Sequence, residues 1–314
     1  MHSGCSSAND NANMKKIANI PQSVAIIAGF FSFLISACSP LNSPSSPAAG
    51  MPGKMGKSYE FDHSHTEFNL ILKKNVTNGW VDYRGILAES DLFYRYTTSL
   101  GAVNAETLAT WSRDQKLAYW INAYNAFTIQ AIIERYPIRS RTLIGLFFPQ
   151  NSILQISGIW DRLKFNAGGQ SLTLGQIEHE ILRKLFDEPR IHFAIVCASR
   201  SCPALRSEAY RFDILEFQLH EQTVEFINDP ARGVRWDSTK QRLYISKIFK
   251  WFKEDFKQKT GVSETPSRAE EPGNPLLAFI RPYIRDKAII DAMDANWNVR
   301  VSYLPYDWRL NEQI

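Results

Sequence analysis

Cysteine is scarce in this chain: four in 314 residues, at positions 5, 38, 197 and 202. That excludes a disulfide-dense scaffold, and the spacing matches no zinc ribbon. A surplus of one charge is missing too. The 36 Lys and Arg against 32 Asp and Glu leave a formal net charge of +4, and no Lys/Arg cluster forms the basic patch that nucleic acid requires. Glycine is present, yet no glycine-rich phosphate loop, dinucleotide fingerprint or serine-elbow motif occurs, which argues against a nucleotide-driven enzyme. Nowhere is there a run of about 20 apolar residues, the length of a membrane span. No internal repeat is found.

What is there begins with an address. Met14, Lys15 and Lys16 supply a positive segment, and Val24 to Ala37, "VAIIAGFFSFLISA", supplies an apolar one. This is the order of a signal peptide, and residues 1 to 13 fit it so poorly that Met14 reads as an alternative start. The stretch "LISAC" resembles the bacterial lipobox. The resemblance implies diacylglyceryl transfer to the Cys38 sulfur, cleavage before Cys38 and acylation of the new N-terminus. Ser39, where an Asp would favour inner-membrane retention, implies an outer-membrane lipoprotein facing the periplasm. Two or three acyl chains, at about 0.8 kcal/mol per buried CH₂, anchor stably where one does not. Residues 38–58, rich in Pro, Ser and Gly, then form a tether.

From about residue 59 the pattern is globular, with 44% hydrophobic and 12% aromatic residues in the whole chain. "TEFNLILKKNV" predicts a first helix, Asn78-Gly79 a turn, and "VDYRGILAESDLFYRYTTSL" a second helix. Ser112 and Gln115 form a capping box ahead of "LAYWINAYNAFTIQAIIERY", which Pro137 closes. Apolar residues cover most of that helix, so 112–136 is expected at the centre of the core. Thr173 and Gln176 repeat the capping box. "RIHFAIVCA" has the length and β-branched content of a strand. A helix over 213–228, a hairpin of "VRWD" and "RLYIS" around "STKQ", and an amphipathic helix "SKIFKWFKEDF" capped by Ser246 follow. "TGVSETPSRAEEPGN" reads as a surface loop, and a last helix precedes "VRVSYLPYDWRLN". The expected fold class is α+β, a helix-rich single domain over 59–314 with a small β-sheet.

The segments "NGWVDY", "LAYWINAYNAFTI", "LGQIEHEILR", "HFAIVCASRSCPAL", "ISKIFKWFKEDF" and "LPYDWRLN", in that order, resemble the DUF 547 family, a domain of unknown function. The resemblance spans nearly all of 59–314 and implies no established reaction. Plant domains of this kind occur beside glutaredoxin-like or leucine-zipper segments, an association with thiol chemistry and no more.

The residues therefore carry the chemical argument. If 191–197 is a strand, Cys197 shares the apolar face of Ile191, Phe193 and Ile195, and His192 points the other way. Cys202 lies beyond, in the turn "SRSCP" beside Arg200, where a thiol can be acidified. It is expected to be the more accessible of the two, with His179 or His192 within a few ångströms of one sulfur. In an exported protein Cys197 and Cys202 also form an even pair able to close a disulfide. Metal binding would need three or four ligands. His179, His192, Cys197 and Cys202 are suitable types without a familiar spacing, and Arg183 stands where a zinc protease motif has His. No metal and no cofactor are expected. Asn122 and Asn125, three apart on the most apolar helix, either pin loops to it or orient a catalytic His. Glu178 either pairs with an Arg or orients an imidazole. His63 and His65 read as a solvated helix entrance, and Tyr306 to Trp308 as a docking segment whose Asp307 bonds backbone or Arg.

Two functions remain open. One is a non-enzymatic envelope lipoprotein with structural cysteines, binding a protein or small molecule of unstated identity. The other is a thiol-dependent envelope enzyme, hydrolase-like or redox, using Cys202 or Cys197 with His179 or His192.

Overall fold

The computed structural model describes residues 60–139, 148–260, 274–295 and 299–313. The signal segment, Cys5, Cys38, the tether and most of the expected loop after Thr260 lie outside the described residues. Residues Phe61–Ile314 make one compact unit.

The chain opens with α1 (Thr66–Asn75), then β1 (Val76–Thr77) and β2 (Trp80–Val81), an antiparallel pair. Asn78 and Gly79 join them with φ of 51 and 80, the left-handed pair that a tight hairpin turn demands and that Asn-Gly adopts cheaply. Next come α2 (Tyr83–Ala88), α3 (Ser90–Ala102), α4 (Ala105–Thr110) and α5 (Arg113–Ile133). The Ser112 side chain accepts from the Gln115 backbone, and the Gln115 side chain accepts from the Ser112 backbone, so the capping box is complete. From Leu117 to Ile129 every residue of α5 is buried. It is the axis of the molecule.

A hairpin of β3 (Phe165–Ala167) and β4 (Gln170–Leu172) leads into α6, a continuous helical run. It starts as Leu174–Gln176 under the Thr173/Gln176 capping box, widens to a π-helix over Ile177–Leu182, and ends as Arg183–Leu185. Then follow α7 (Ile191–Ala194) and α8 (Leu215–Ile227), β5 (Val234–Asp237) and β6 (Arg242–Ile245), and α9 (Ile248–Trp251) and α10 (Lys253–Thr260). After α11 (Pro275–Ile280) and α12 (Lys287–Ala295), β7 (Arg300–Tyr303) pairs parallel to β6, whose other neighbour is the antiparallel β5. The fold is helix-rich α+β with small sheets. Among the described residues no helix is long and apolar enough to cross a membrane.

Two apolar clusters lie inside this unit. The larger surrounds α5 and contains Cys202. The smaller gathers Phe193, Phe249, Phe256 and Phe279 under the β5–β7 sheet. A C-terminal strap of residues 304–313 leaves β7 and bridges Ser152, Ser199 and Val81 through Arg309, Leu310 and Glu312.

The structure corrects two expectations. "RIHFAIVCA" is not a strand: Ile191–Ala194 is a helical turn, and the chain extends only from Ile195. Its β-branched content favours a strand, but among the described residues no strand pairs with it. The Asn125 side chain takes that place, donating to Ala194 O (2.9 Å) and accepting from Val196 N (2.9 Å). His65 is the second correction. It is 1% exposed, its Nδ1 lies 2.8 Å from the Tyr96 hydroxyl, and its ring packs edge-on against Phe61. His63, expected in solvent, lies edge-on to Trp111.

Candidate functional site

Cys197 and Cys202 meet because of one backbone choice. Ala198, directly after the first thiol, has φ 57, a left-handed conformation that costs an alanine about 1 kcal/mol. It turns the chain so that 199–202 folds back, with Cys202 N donating to Ser199 O at 3.1 Å. Strain of this kind persists where surrounding contacts enforce it. Here the strap enforces it: Asn311 N donates to Ala198 O (3.1 Å), Arg200 N to Arg309 O (2.9 Å), and Asp307 N to Ser201 Oγ (2.8 Å).

Both thiols are free, with their sulfurs 3.0 Å apart. Cys197 N donates to the Cys202 sulfur at 3.0 Å. Around the Cys197 sulfur stand Ser199 Oγ at 3.3 Å and the Tyr306 hydroxyl at 3.4 Å. The hydrogen bond with Cys202 leads in lowering the Cys197 thiol to about 7, against the upward push of burial, and Ser199 and Tyr306 help. Burial first, then the neighbouring Cys197 sulfur, raises Cys202 well above the ordinary thiol range. Cys197 is partly exposed and Cys202 buried. The expected order of accessibility is thus reversed: Cys197, the thiol its neighbours lower, belongs to the more exposed residue, and Cys202, the thiol burial raises, to the buried one.

Aromatic rings flank this pair. Tyr306 lies 4.8 Å from Trp251 and 4.6 Å from Trp308, ring centre to ring centre, and Trp160 packs edge-on to Trp308 at 6.4 Å. All four rings are partly exposed. Tyr124, buried on α5, feels both sulfurs electrostatically and donates its hydroxyl to Glu178 Oε2 at 3.2 Å. Glu178 sits on the π-helical segment of α6, a widening that recurs at functional sites.

The histidines belong to a different cluster. His192 Nε2 donates to Asp255 Oδ2 at 2.7 Å, and its ring stacks on Phe252 at 3.9 Å. Arg183 grips the same carboxylate with two bonds, 2.6 and 2.8 Å, and donates to His179 Nδ1 at 3.1 Å. Burial lowers the His192 pKa, with Asp255 opposing. The Asp255 carboxyl stays well below the usual carboxylate range because Arg183 and then His192 bond it, overcoming its burial. Among the described residues no hydrogen bond joins His179 or His192 to either sulfur. The reason is the helical turn at 191–194, which commits His192 to α10. Glu178, expected to orient an imidazole or pair with Arg, bonds Tyr124, although its charge favours protonated His192.

Asn122 and Asn125 orient no histidine. Each amide clasps backbone at two points: Asn122 donates to Tyr210 O (2.7 Å) and accepts from Tyr210 N (3.0 Å), as Asn125 does for the segment before Cys197. Sequence reasoning missed Ser199, Tyr124, Asp255 and the thiol contact of Tyr306. Ser199 lay within reach of inspection, between the two cysteines. Asp255 carried no signal, since its partners are 63 and 72 residues away.

No curated protein and no solved structure matches this chain. A family model described as "Protein of unknown function, DUF547" matches residues 108–227, from the end of α4 through the cysteine turn to the last residue of α8. "NGWVDY", "ISKIFKWFKEDF" and "LPYDWRLN" fall outside that match, and with them Asp255 and Tyr306. Over residues 108–227 the chain carries the pattern of the DUF547 family.

Proposed function

We propose that the protein is a lipid-anchored envelope protein whose Cys197/Cys202 pair exchanges two electrons with a dithiol/disulfide substrate. The observation that carries this reading is the asymmetry of two sulfurs 3.0 Å apart: Cys197 acidic, near 7, and partly exposed, Cys202 buried and protonated. An acidified, reachable thiolate is the attacking group, and a protonated neighbour is a resolving group. The Cys197 thiolate attacks one sulfur of a substrate disulfide, whose S–S bond breaks and whose other sulfur leaves as a thiol on taking a proton. Cys202 then loses its proton and attacks Cys197, releasing the second substrate thiol. The pair ends as a disulfide and the substrate as a dithiol, and the reverse sequence oxidises a dithiol. Closing the pair needs an approach of only about 1 Å.

The imidazole-assisted hydrolase is less well supported, because neither His179 nor His192 bonds a sulfur. The burial of Cys202 favours a competing reading, a non-enzymatic binding protein with structural cysteines. Alkylation of the native full chain separates the two. For a redox pair, Cys197 labels with a midpoint near pH 7, the labelling vanishes in Cys197→Ser, and a thiol–disulfide buffer drives the pair reversibly between two states. Cysteines that label only after unfolding would sink the proposal. For the address, motivated by "LISAC" and the segments before it, wild type should carry acyl mass on Cys38 and Cys38→Ala should leave the membrane fraction. Unchanged fractionation and no acyl mass would refute the anchor.

A further inference from the structure

Dithiol–disulfide exchange can run either way, and the atoms around Cys197 favour one direction. Ser199 Oγ donates to the Tyr306 hydroxyl oxygen at 3.2 Å, which leaves the Tyr306 proton for the Cys197 sulfur at 3.4 Å. Cys202, which burial keeps protonated, donates to the same sulfur across 3.0 Å. Two donors therefore converge on one sulfur. Tyr306 is fixed from both sides of the strap: Leu304 N donates to Ile245 O at 2.9 Å, and Asp307 N to Ser201 Oγ at 2.8 Å. Donors held in this way stabilise a charge without rearranging.

These contacts serve one redox state. In the dithiol form they meet a thiolate, and hydrogen bonds to a charged acceptor are roughly twice as strong as neutral ones. In the disulfide form the Cys197 sulfur is neutral, a weak acceptor, and the Cys202 proton is gone. Little offsets this on the oxidised side. The two cysteines lie five positions apart, so closing a bridge between them restrains the unfolded chain only slightly. A couple whose reduced form is stabilised is an oxidant.

We infer, on the basis of the exchange proposed above, that the pair works as a disulfide donor to a dithiol substrate, with Tyr306 and Ser199 as the positioning residues that set this direction. One substrate thiolate attacks the Cys197 sulfur of the oxidised pair. The S–S bond breaks, and Cys202 leaves and takes a proton. The second substrate thiol loses its proton and attacks the first substrate sulfur, and Cys197 leaves as the thiolate. The substrate ends as a disulfide, and its two electrons rest on the pair. Tyr306 eases the last departure, because a thiol of lower pKa leaves faster. A more oxidising disulfide must then restore the pair, so a disulfide-supplying reaction follows each turnover.

Redox titration of the full chain against glutathione tests the direction. With millimolar reduced glutathione in about tenfold excess over the oxidised form, wild type should be mostly dithiol, where a structural disulfide would persist. Tyr306→Phe should shift the equilibrium about threefold toward the disulfide, and Ser199→Ala should shift it the same way by less. The double variant should shift it about tenfold, which corresponds to about 30 mV. A loss of packing alone would weaken dithiol and disulfide forms alike and leave the equilibrium unmoved. Ser199→Ala carries the test if Tyr306→Phe fails to fold. A wild-type pair that stays a disulfide in this buffer, or an equilibrium that neither variant moves, overturns the inference and leaves the exchange standing. A pair that glutathione converts in neither direction overturns both.

Discussion

Cys197 owes its acidity to three neighbours within 3.4 Å, and the chain order hides only one of them. Ser199 is visible beside it, whereas Tyr306 arrives from 109 residues away. Because the hydrogen bond from Cys202 is the largest influence, Cys202→Ala should raise the alkylation midpoint of Cys197 by about one pH unit, and Tyr306→Phe by less. A midpoint that stays near 7 in both variants would disprove this account. The lowered thiol contributes stability above the unfolded thiol pKa, and that contribution fades as pH falls through about 7. Buried His65 acts over a lower window. Burial takes its pKa from 6.5 to about 3, so the unfolded chain binds the proton that the fold refuses. Its stabilising effect is complete above about pH 6.5 and is lost as pH falls below that value, roughly 2 kcal/mol by pH 5. Urea midpoints recorded from pH 7 to 5 would check this, a flat profile counting against it. His192, also lowered by burial, adds to the same loss. Sequence put His65 in solvent because "DHSH" is polar. Its burial is decided by Phe61 and Tyr96, which no local pattern reveals.

At the scale of elements, what was legible was local. Ser112/Gln115 and Thr173/Gln176 declare their helix starts, because a capping box is complete within four residues. Asn78-Gly79 declares its turn for the same reason. Apolar coverage of the helix within 112–136 made α5 central, whereas its two asparagines stood open between pinning loops and orienting a histidine, and only their backbone partners tell the two apart. The strand expectation for 191–197 failed because strand content is only a fitness for pairing, and the partner here is a side chain. This makes Asn125 a test of the site as well as of the fold. Asn125→Ala leaves Ala194 O and Val196 N buried and unpaired, costing roughly 3 kcal/mol, and frees the segment that aims Cys197. Thermal melting should show the loss, and the alkylation rate of Cys197 should change with it. An unchanged rate would separate the pin from the thiol. Ile121→Lys, a charge buried at 0% exposure, should abolish folding, as judged by soluble yield and circular dichroism.

Across the whole molecule, the strap decides how the parts cooperate. It leaves β7 at the smaller apolar cluster and ends on Val81 beside the larger one, with Val81 N donating to Asn311 O at 2.9 Å and Gln313 N donating to Val81 O at 2.9 Å. On the way it supplies Tyr306 to the thiol and holds the strained turn at Ala198. Its dependence on distant partners is why "LPYDWRLN" could be read as a docking segment but not as part of a site. A chain ended after Leu304 should therefore melt at lower temperature, lose the acidity of Cys197 and expose Cys202 to alkylation. Since such a truncation can fail to fold, Asn311→Ala is the finer probe. It removes the acceptor of the Tyr83 hydroxyl (2.7 Å) and a donor to Gly79 O while leaving Ser199 and Tyr306, the side chains bonded to the Cys197 sulfur, in place. A strap that fastens the site predicts faster labelling of Cys202 in this variant, with helix content unchanged. A strap that merely covers surface predicts a small loss of stability and no change at either sulfur, and that result would detach the C-terminal segment from the chemistry of the thiols.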